Sequence, residues 1–167
     1  MKKSFITFFI FLVSFTSICQ NKKYCNQIKK RIDKFDKDTV YYTPTNGAKG
    51  WIYFKKFKEN KNDRIFMSLS VFNKNLSNSE KGVDIILENG ERISIPFESV
   101  KITSEVVSGA GGVGYFYKAF FKLEEEDIDL LISSPIVDYR INIFEGKAVK
   151  RYAEKFYPEY LKCLREL

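Results

Sequence analysis

Residues 83–97, VDIILENGERISIPF, contain two short apolar runs joined by an Asn-Gly pair. Asn-Gly favours a type I′ turn, whose twist matches that of two antiparallel strands, so this segment predicts a β-hairpin. An isolated hairpin is marginally stable at best, and it needs further strands or a packed layer to cover its apolar side. The segment therefore constrains the chain to a fold with an antiparallel sheet.

Other segments have the alternation or the composition of strands and can supply those neighbours. The clearest is RIFMSLSVF at residues 64–72, in which Ile65, Met67, Leu69 and Val71 fall on one side. Aromatic and β-branched residues favour further strands, which are predicted at residues 51–57, 99–107, 115–123 and 136–144. With the hairpin, these give about seven or eight strands.

Helices are predicted at both ends of the chain and before the last strand. An amphipathic helix is indicated near the N-terminus by the spacing of Cys25, Ile28, Ile32 and Phe35. Residues 147–167 carry an apolar stripe that is interrupted at Pro158, and the acids of LEEED at 123–127 suit the start of a short helix. The predicted fold class is mainly β or α+β, an antiparallel β-sandwich flanked by N- and C-terminal helices.

The first 20 residues, MKKSFITFFIFLVSFTSICQ, combine two lysines, an apolar run and a short tail of small or polar residues. This pattern is typical of a secretory signal peptide. Ser17 and Cys19 fit a cleavage site before Gln20, whereas Ile18 disfavours a lipid anchor at Cys19. We therefore expect removal of residues 1–19 and an exported domain, periplasmic or secreted, over residues 20–167. The apolar run is short for a membrane span, so we expect none in the mature chain.

Cysteine and histidine usage limits the chemistry that the exported chain can perform. Cys25 and Cys163 remain after cleavage, and an even pair outside the cytoplasm predicts a disulfide between them. The sequence contains no histidine, which removes the commonest metal ligand and the usual base of serine and cysteine hydrolases. The sequence gives no reason to expect a cofactor or a metal.

Positive charge is concentrated near the front of the chain. Residues 20–61 carry 12 Lys or Arg against four Asp or Glu, whereas residues 62–167 carry 14 against 17. Such asymmetry can mark a surface for an anionic partner, and the alternative is a solvated lysine-rich face. An anionic envelope component is accordingly a possible partner, beside a protein partner.

Aromatic and basic residues interleave within the cationic part, at Trp51, Tyr53, Lys55 and Lys56. This mixture can stack bases or sugars beside phosphates, so we take these four as candidate binding residues. A strand with one buried aromatic side and lysines on the other would show the same pattern.

Residues 109–114, GAGGVG, match the letters of the dinucleotide-binding fingerprint. The context does not fit, because a strand is predicted where that fingerprint requires a helix. The glycines let backbone approach a ligand, and the flanking Tyr115 and Tyr117 are candidates to line a cleft. The alternative is a hairpin connection whose glycines supply positive φ.

Four features together suggest a resemblance: the signal ending ICQ, the hairpin around ENGE at 88–91, the strand-helix-strand unit at 115–141, and a last helix bearing Cys163. In this layout the chain resembles a loose group of small uncharacterised exported proteins of Gram-negative envelopes. The resemblance implies an envelope location and a β-rich fold, and it carries no catalytic residues.

The function expected from these features is a non-enzymatic exported envelope protein that binds a ligand or a protein partner. One alternative is a carboxylate-dependent glycan hydrolase, which needs neither histidine nor metal but requires two carboxyl groups within about 5 to 10 Å of each other. Another is a structural or accessory subunit of an envelope complex, which predicts a large exposed apolar patch.

Overall fold

The computed structural model describes residues 23–32, 38–44, 52–58, 63–73, 82–109, 112–142, 148–151 (backbone only) and 156–167. The strands are β1 Lys29–Ile32, β2 Thr39–Tyr42, β3 Ile52–Lys58, β4 Arg64–Asn73, β5 Val83–Leu87, β6 Arg92–Ile95, β7 Val100–Gly109, β8 Gly112–Lys122, β9 Ile136–Ile141 and β10 Ala148–Arg151. The helices are α1 Glu125–Ser133 and α2 Tyr157–Glu166.

Two antiparallel sheets contain all of these strands. The larger has the order β1-β2-β3-β4-β8-β7, and the smaller has the order β10-β9-β5-β6. Both sheets and both helices contribute to one hydrophobic core, in which Phe54, Met67, Ile85 and Leu161 are fully buried. The Tyr139 hydroxyl of the smaller sheet donates to a carbonyl of β4 at 2.6 Å. The predicted class, mainly antiparallel β with few helices, is confirmed.

Two predicted elements, the N-terminal and the C-terminal helix, differ from the structure. Residues 29–32 form β1, and among the described residues of this region only 23–25 make a helical turn, so the predicted amphipathic helix through Ile28 and Ile32 is wrong. Residues 148–151 pair with β9, so the C-terminal helix is limited to α2. Pairing to a neighbouring strand decides the structure of such four-residue segments, and a short run of apolar spacings does not reveal it.

The hairpin of β5 and β6 is confirmed, but its turn differs from the predicted type. The Leu87 N–H donates to the Glu91 carbonyl at 2.9 Å, which leaves residues 88–90 as a three-residue loop. Within it the Gly90 N–H donates to the Leu87 carbonyl at 3.0 Å, and Gly90 has φ 87°. This is the three-residue loop in which glycine occupies the left-handed position. The Asn89 side chain accepts a hydrogen bond from the Glu91 N–H, and the Asn89 N–H donates to the Ser134 hydroxyl. The first bond lies within the connection, and the second holds the loop against Ser134, the residue that follows α1.

The internal helix α1 begins within the acidic segment 123–127, as predicted from the sequence. Glu124 and Asp127 form a reciprocal capping box, in which each side chain accepts the other residue's backbone N–H. Arg165 of α2 contacts Asp129 at 2.6 Å and Glu125 at 3.0 Å, which ties the two helices together. The acidic cluster therefore caps and connects helices.

A disulfide joins Cys25 and Cys163, whose Cα atoms are 5.3 Å apart, as the sequence predicted. Tyr24 beside it packs edge-on against Tyr160, with ring centroids 5.4 Å apart. The bridge and this ring contact attach the segment before β1 to helix α2. Within the described part of the chain, none of the helices combines the length and the hydropathy that crossing a bilayer requires. The predicted signal peptide lies outside the described residues.

We expect Gly82→Ala to lower the free energy of unfolding by about 2 kcal/mol. Gly82 has φ 76°, and an added Cβ would lie 2.2 Å from the Ile95 backbone oxygen. Gly90→Ala is the matched control, since Gly90 also has positive φ but has no atom within 4 Å of an added Cβ. Urea titrations of the two variants separate the steric cost from the cost of the left-handed backbone. Equal losses would contradict the steric argument.

Candidate functional site

One side of the larger sheet faces the core, and the opposite side presents aromatic rings and cations. In β3 the buried Ile52 and Phe54 alternate with Tyr53, Lys55 and Phe57, which are only half-buried. The strand register continues this second side across the sheet. We call it the aromatic–cationic face, and it comprises Lys29, Arg31, Val40, Tyr42, Tyr53, Lys55, Phe57, Arg64, Phe66, Ser68, Ser70, Phe72, Phe116, Lys118, Phe120 and Lys122.

Aromatic rings run in a row across the middle of this face. Phe57 of β3 packs edge-on against Phe66 of β4, with centroids 5.3 Å apart. Phe66 in turn stacks on Phe120 of β8 at 5.0 Å with an interplanar angle of 3°. Such ring pairs stabilise the folded protein by more than the burial of their apolar area alone would. The row gives the aromatic–cationic face a rigid apolar base.

Cations lie over several of these rings. The Lys55 ammonium is 5.5 Å from the Tyr53 centroid and 5.7 Å from the Phe120 centroid. The Arg64 guanidinium is 5.9 Å from the Phe66 centroid. These are distances for cation–π attraction, which holds the charged groups above the rings. The aromatic–cationic face therefore presents positive charge on an aromatic base.

A groove of about 450 Å³ opens on this face where β1, β2 and β3 lie side by side. The register places Arg31, Val40 and Phe57 in one cross-strand row and Tyr42 and Lys55 in the next, and these five residues line the groove. A volume of this size falls in the range of small-molecule sites. The groove combines two cations with two aromatic walls.

The cations of the groove lack acidic partners in the described structure. Lys118 pairs with Glu105 and Lys122 with Glu124, each at 3.0 Å, so the β8 side of the aromatic–cationic face is partly neutralised. No ion pair involves Arg31 or Lys55 among the described residues, and none of the described groove residues carries a carboxyl group. Two such cations beside one cavity favour an anion there.

The six candidate residues from the sequence do not lie together. Tyr53 and Lys55 are on the aromatic–cationic face, whereas Lys56 is 3% exposed on the core side, where its ammonium is 2.8 Å from the Asp63 carboxylate. Tyr115 and Tyr117 are also on the core side of the sheet, and Tyr117 is 1% exposed. Trp51 lies outside the described residues. Of the six, Lys55 lines the groove, and Tyr53 lies beside Lys55 on the same face.

Sequence reasoning missed four of the five groove residues, namely Arg31, Val40, Tyr42 and Phe57. Arg31 was assigned to a helix, and TVYY at residues 39–42 is too short a strand to stand out. The alternation within WIYFKKF did carry a signal, since Phe57 shares the parity of Tyr53 and Lys55.

A second cluster of charges surrounds Asp84 on the smaller sheet. Its carboxylate accepts bonds from Arg92 at 2.5 Å, Arg140 at 2.7 Å, Ser94 at 2.7 Å and Asn142 at 2.8 Å. Burial opposes ionisation, but the four donors outweigh it and hold the pKa of this carboxyl well below its usual range. A carboxylate that is saturated with donors and has a lowered pKa is a poor acid or base, so this cluster is structural.

Among the acids of α1, Asp127 has a raised pKa, in contrast to the lowered pKa of Asp84. Burial raises the pKa of this carboxyl, although the bond from the Glu124 N–H opposes the effect. Because this carboxylate caps the helix, its environment is explained without a catalytic role.

Comparison with known proteins adds no relative to this description. No family model, curated protein or solved structure matches the chain.

Proposed function

We propose that this chain is a non-enzymatic, exported binding protein that holds an anionic glycan of the cell envelope in the groove of its aromatic–cationic face. In this proposal the two sheets form a sandwich with helical flanks, and the larger sheet presents the ligand-binding side. The signal-peptide pattern at residues 1–19 and the disulfide support the exported setting. The observation that carries the proposal is the groove, where Arg31 and Lys55, without an acidic partner among the described residues, flank aromatic walls.

The chemistry of the groove fits an acidic sugar. Arg31 supplies a planar donor fork that matches a carboxylate, sulfate or phosphate group, and Lys55 supplies a second positive charge. Tyr42 and Phe57 offer apolar walls to the C–H side of a sugar ring. A longer nucleic acid that continued from the groove across the face would find few open rings for base stacking, because cations already lie over Tyr53, Phe66 and Phe120.

The hydrolase alternative has no support in the groove, since a paired acid and base require carboxyl groups and the described lining supplies only Arg31, Val40, Tyr42, Lys55 and Phe57. The saturated Asp84 and the capping acids of α1 have structural roles. The proposal is therefore binding without turnover.

We expect sulfated dextran oligosaccharides to bind the protein and neutral dextran of the same length to bind much more weakly. Arg31→Glu and Lys55→Glu should each reduce affinity for the sulfated ligand about tenfold, because each reverses a charge at the groove. Binding should weaken further between about 50 mM and about 500 mM salt. Isothermal titration calorimetry measures all three effects.

Lys30→Glu provides the matched control. Lys30 is next to Arg31 in β1, is exposed, and lies on the opposite side of the strand, so its reversal changes net charge equally without altering the groove. We expect the affinity of this variant for the sulfated ligand to change by less than about threefold. Equal losses for Lys30→Glu and Arg31→Glu would show non-specific attraction and overturn the site, as would equal binding of neutral dextran. Tighter binding of single-stranded oligothymidine than of the sulfated ligand would reject the glycan in favour of nucleic acid.

A further inference from the structure

The two edges of the larger sheet differ in how they are protected. The β1 edge carries KKRI, and charged side chains of this kind discourage pairing with another strand. The strand at the other edge, β7, has ten residues. Two valines in its C-terminal half are solvent-exposed: Val106 is 69% exposed and Val107 is 43% exposed. Ser104, Glu105 and Ser108 are exposed as well. A long, exposed, partly apolar edge is a template for strand addition.

We propose that β7 pairs antiparallel with β7 of a second copy of this chain, about a two-fold axis at Thr103, and forms a continuous sheet of two subunits. The sequence of β7 is self-complementary about this residue. In this register Lys101 lies opposite Glu105 of the second copy, and by symmetry Glu105 lies opposite its Lys101. Each dimer therefore gains two opposite-charge pairs, the cross-strand arrangement that stabilises a sheet.

The faces of the strand agree with this register. Lys101 and Glu105 both lie on the side of β7 that shares the aromatic–cationic face, opposite Phe120 and Phe116 of β8. Directly opposed residues of an antiparallel pair lie on the same face, so the charges can meet across the dimer. Thr103, on the same side, is placed opposite its own copy, another favourable cross-strand pair.

On the core side of the sheet the same register brings apolar groups together. Val100 is placed opposite Val106 of the second copy, which would cover the most exposed valine of the edge. A register centred on Lys101 or on Glu105 would instead oppose like charges, so Thr103 is the centre that the charges select.

A charge-exchange experiment with the protein expressed from its full sequence tests the dimer. Wild type should show a dimer fraction that rises between about 1 µM and about 300 µM in sedimentation velocity. Lys101→Glu and Glu105→Lys should each weaken self-association about tenfold or more, since two attractive pairs become two repulsive ones. Glu105→Lys also removes the contact of Glu105 with Lys118 of its own chain at 3.0 Å, whereas Lys101→Glu leaves that contact in place and is the cleaner test. An equimolar mixture of the two variants should recover the dimer. In the mixed pair one chain presents two carboxylates and the other presents two ammonium groups, so each carboxylate again lies opposite an ammonium.

Val113→Lys is the control for simple hydrophobic association. Val113 is 60% exposed near the start of β8, opposite Ser108 of β7, and does not belong to the edge strand. This variant should dimerise as wild type does. A monomeric wild type at about 300 µM, or a mixture that stays monomeric, overturns the proposal. A loss of the dimer in Val113→Lys with unchanged association of the two charge variants would also overturn it, because the interface would then lie at the start of β8.

Discussion

Replacing both Cys25 and Cys163 by alanine should lower the free energy of unfolding by about 4 to 5 kcal/mol. The bridge spans a sequence separation of 138 residues, and a cross-link that closes so long a loop removes much conformational freedom from the unfolded chain. Cys163 is 2% exposed within the core, so its side chain also contributes packing. Urea titration at neutral pH measures the change.

Reduced wild type separates the bridge from the packing of the sulfur atoms. Its stability under a strong thiol reductant should fall close to that of the alanine variant, and the reductant should leave the alanine variant unchanged. If the double variant lost less than about 1 kcal/mol, the loop-closure argument would fail for this chain.

If the groove binds sulfated dextran oligosaccharides as proposed, the same double variant should bind them more weakly. Lys29, the first residue of β1, follows the bridged Cys25 by only four positions, and all of β1 is exposed and pairs with β2 alone among the described strands. Without the bridge the first residues of this short strand should separate from β2 more often, so Arg31 should be out of the groove part of the time. Hydrogen exchange of residues 29–32 should accelerate on reduction if this reasoning is right.

The strands that the sequence predicts well are those in which apolar and polar residues alternate over many positions, or which a turn signal marks. Residues 64–72 alternate over a full strand, and the Asn-Gly pair marks the hairpin, so both are found where expected. β1, β2 and β10 have four residues each and were missed, because strands this short depend on their neighbours more than on their own composition. The class of fold was thus predictable, and the sheet edge that builds the groove was not.

The residues of the candidate site were likewise predictable only in part. Tyr53 and Lys55 were identified from the mixture of rings and charges, yet Lys56 was grouped with them although consecutive residues of a strand face opposite sides. Strict use of the two-residue period would have selected Phe57 and rejected Lys56. Arg31 and Tyr42 reach the groove only through strand pairing, which is a long-range property that local pattern does not contain.

Asp84→Asn should lower the free energy of unfolding by about 3 kcal/mol near neutral pH. The asparagine keeps the shape of the side chain but removes the charge that Arg92 and Arg140 share, and its amide would face the Arg140 and Asn142 donors. The cost stays below that of an entirely buried pair because the Arg92 side chain is 53% exposed and can be solvated. The control is Glu124→Gln, which removes an exposed charge while keeping a cap acceptor, and we expect it to cost less than about 1 kcal/mol.

The pH dependence of the Asp84 effect follows from the direction of its pKa shift. The four donors lower the pKa in the folded state, so below about pH 5 the unfolded chain takes up a proton that the folded protein resists. The stability that Asp84 contributes is complete above the unfolded pKa and is lost as pH falls toward the folded pKa. Wild type and Asp84→Asn should therefore converge in urea titrations as the pH is lowered from about 6 to about 3. A difference that stays constant over this range would mean that the carboxylate acts through its shape alone and not through its charge.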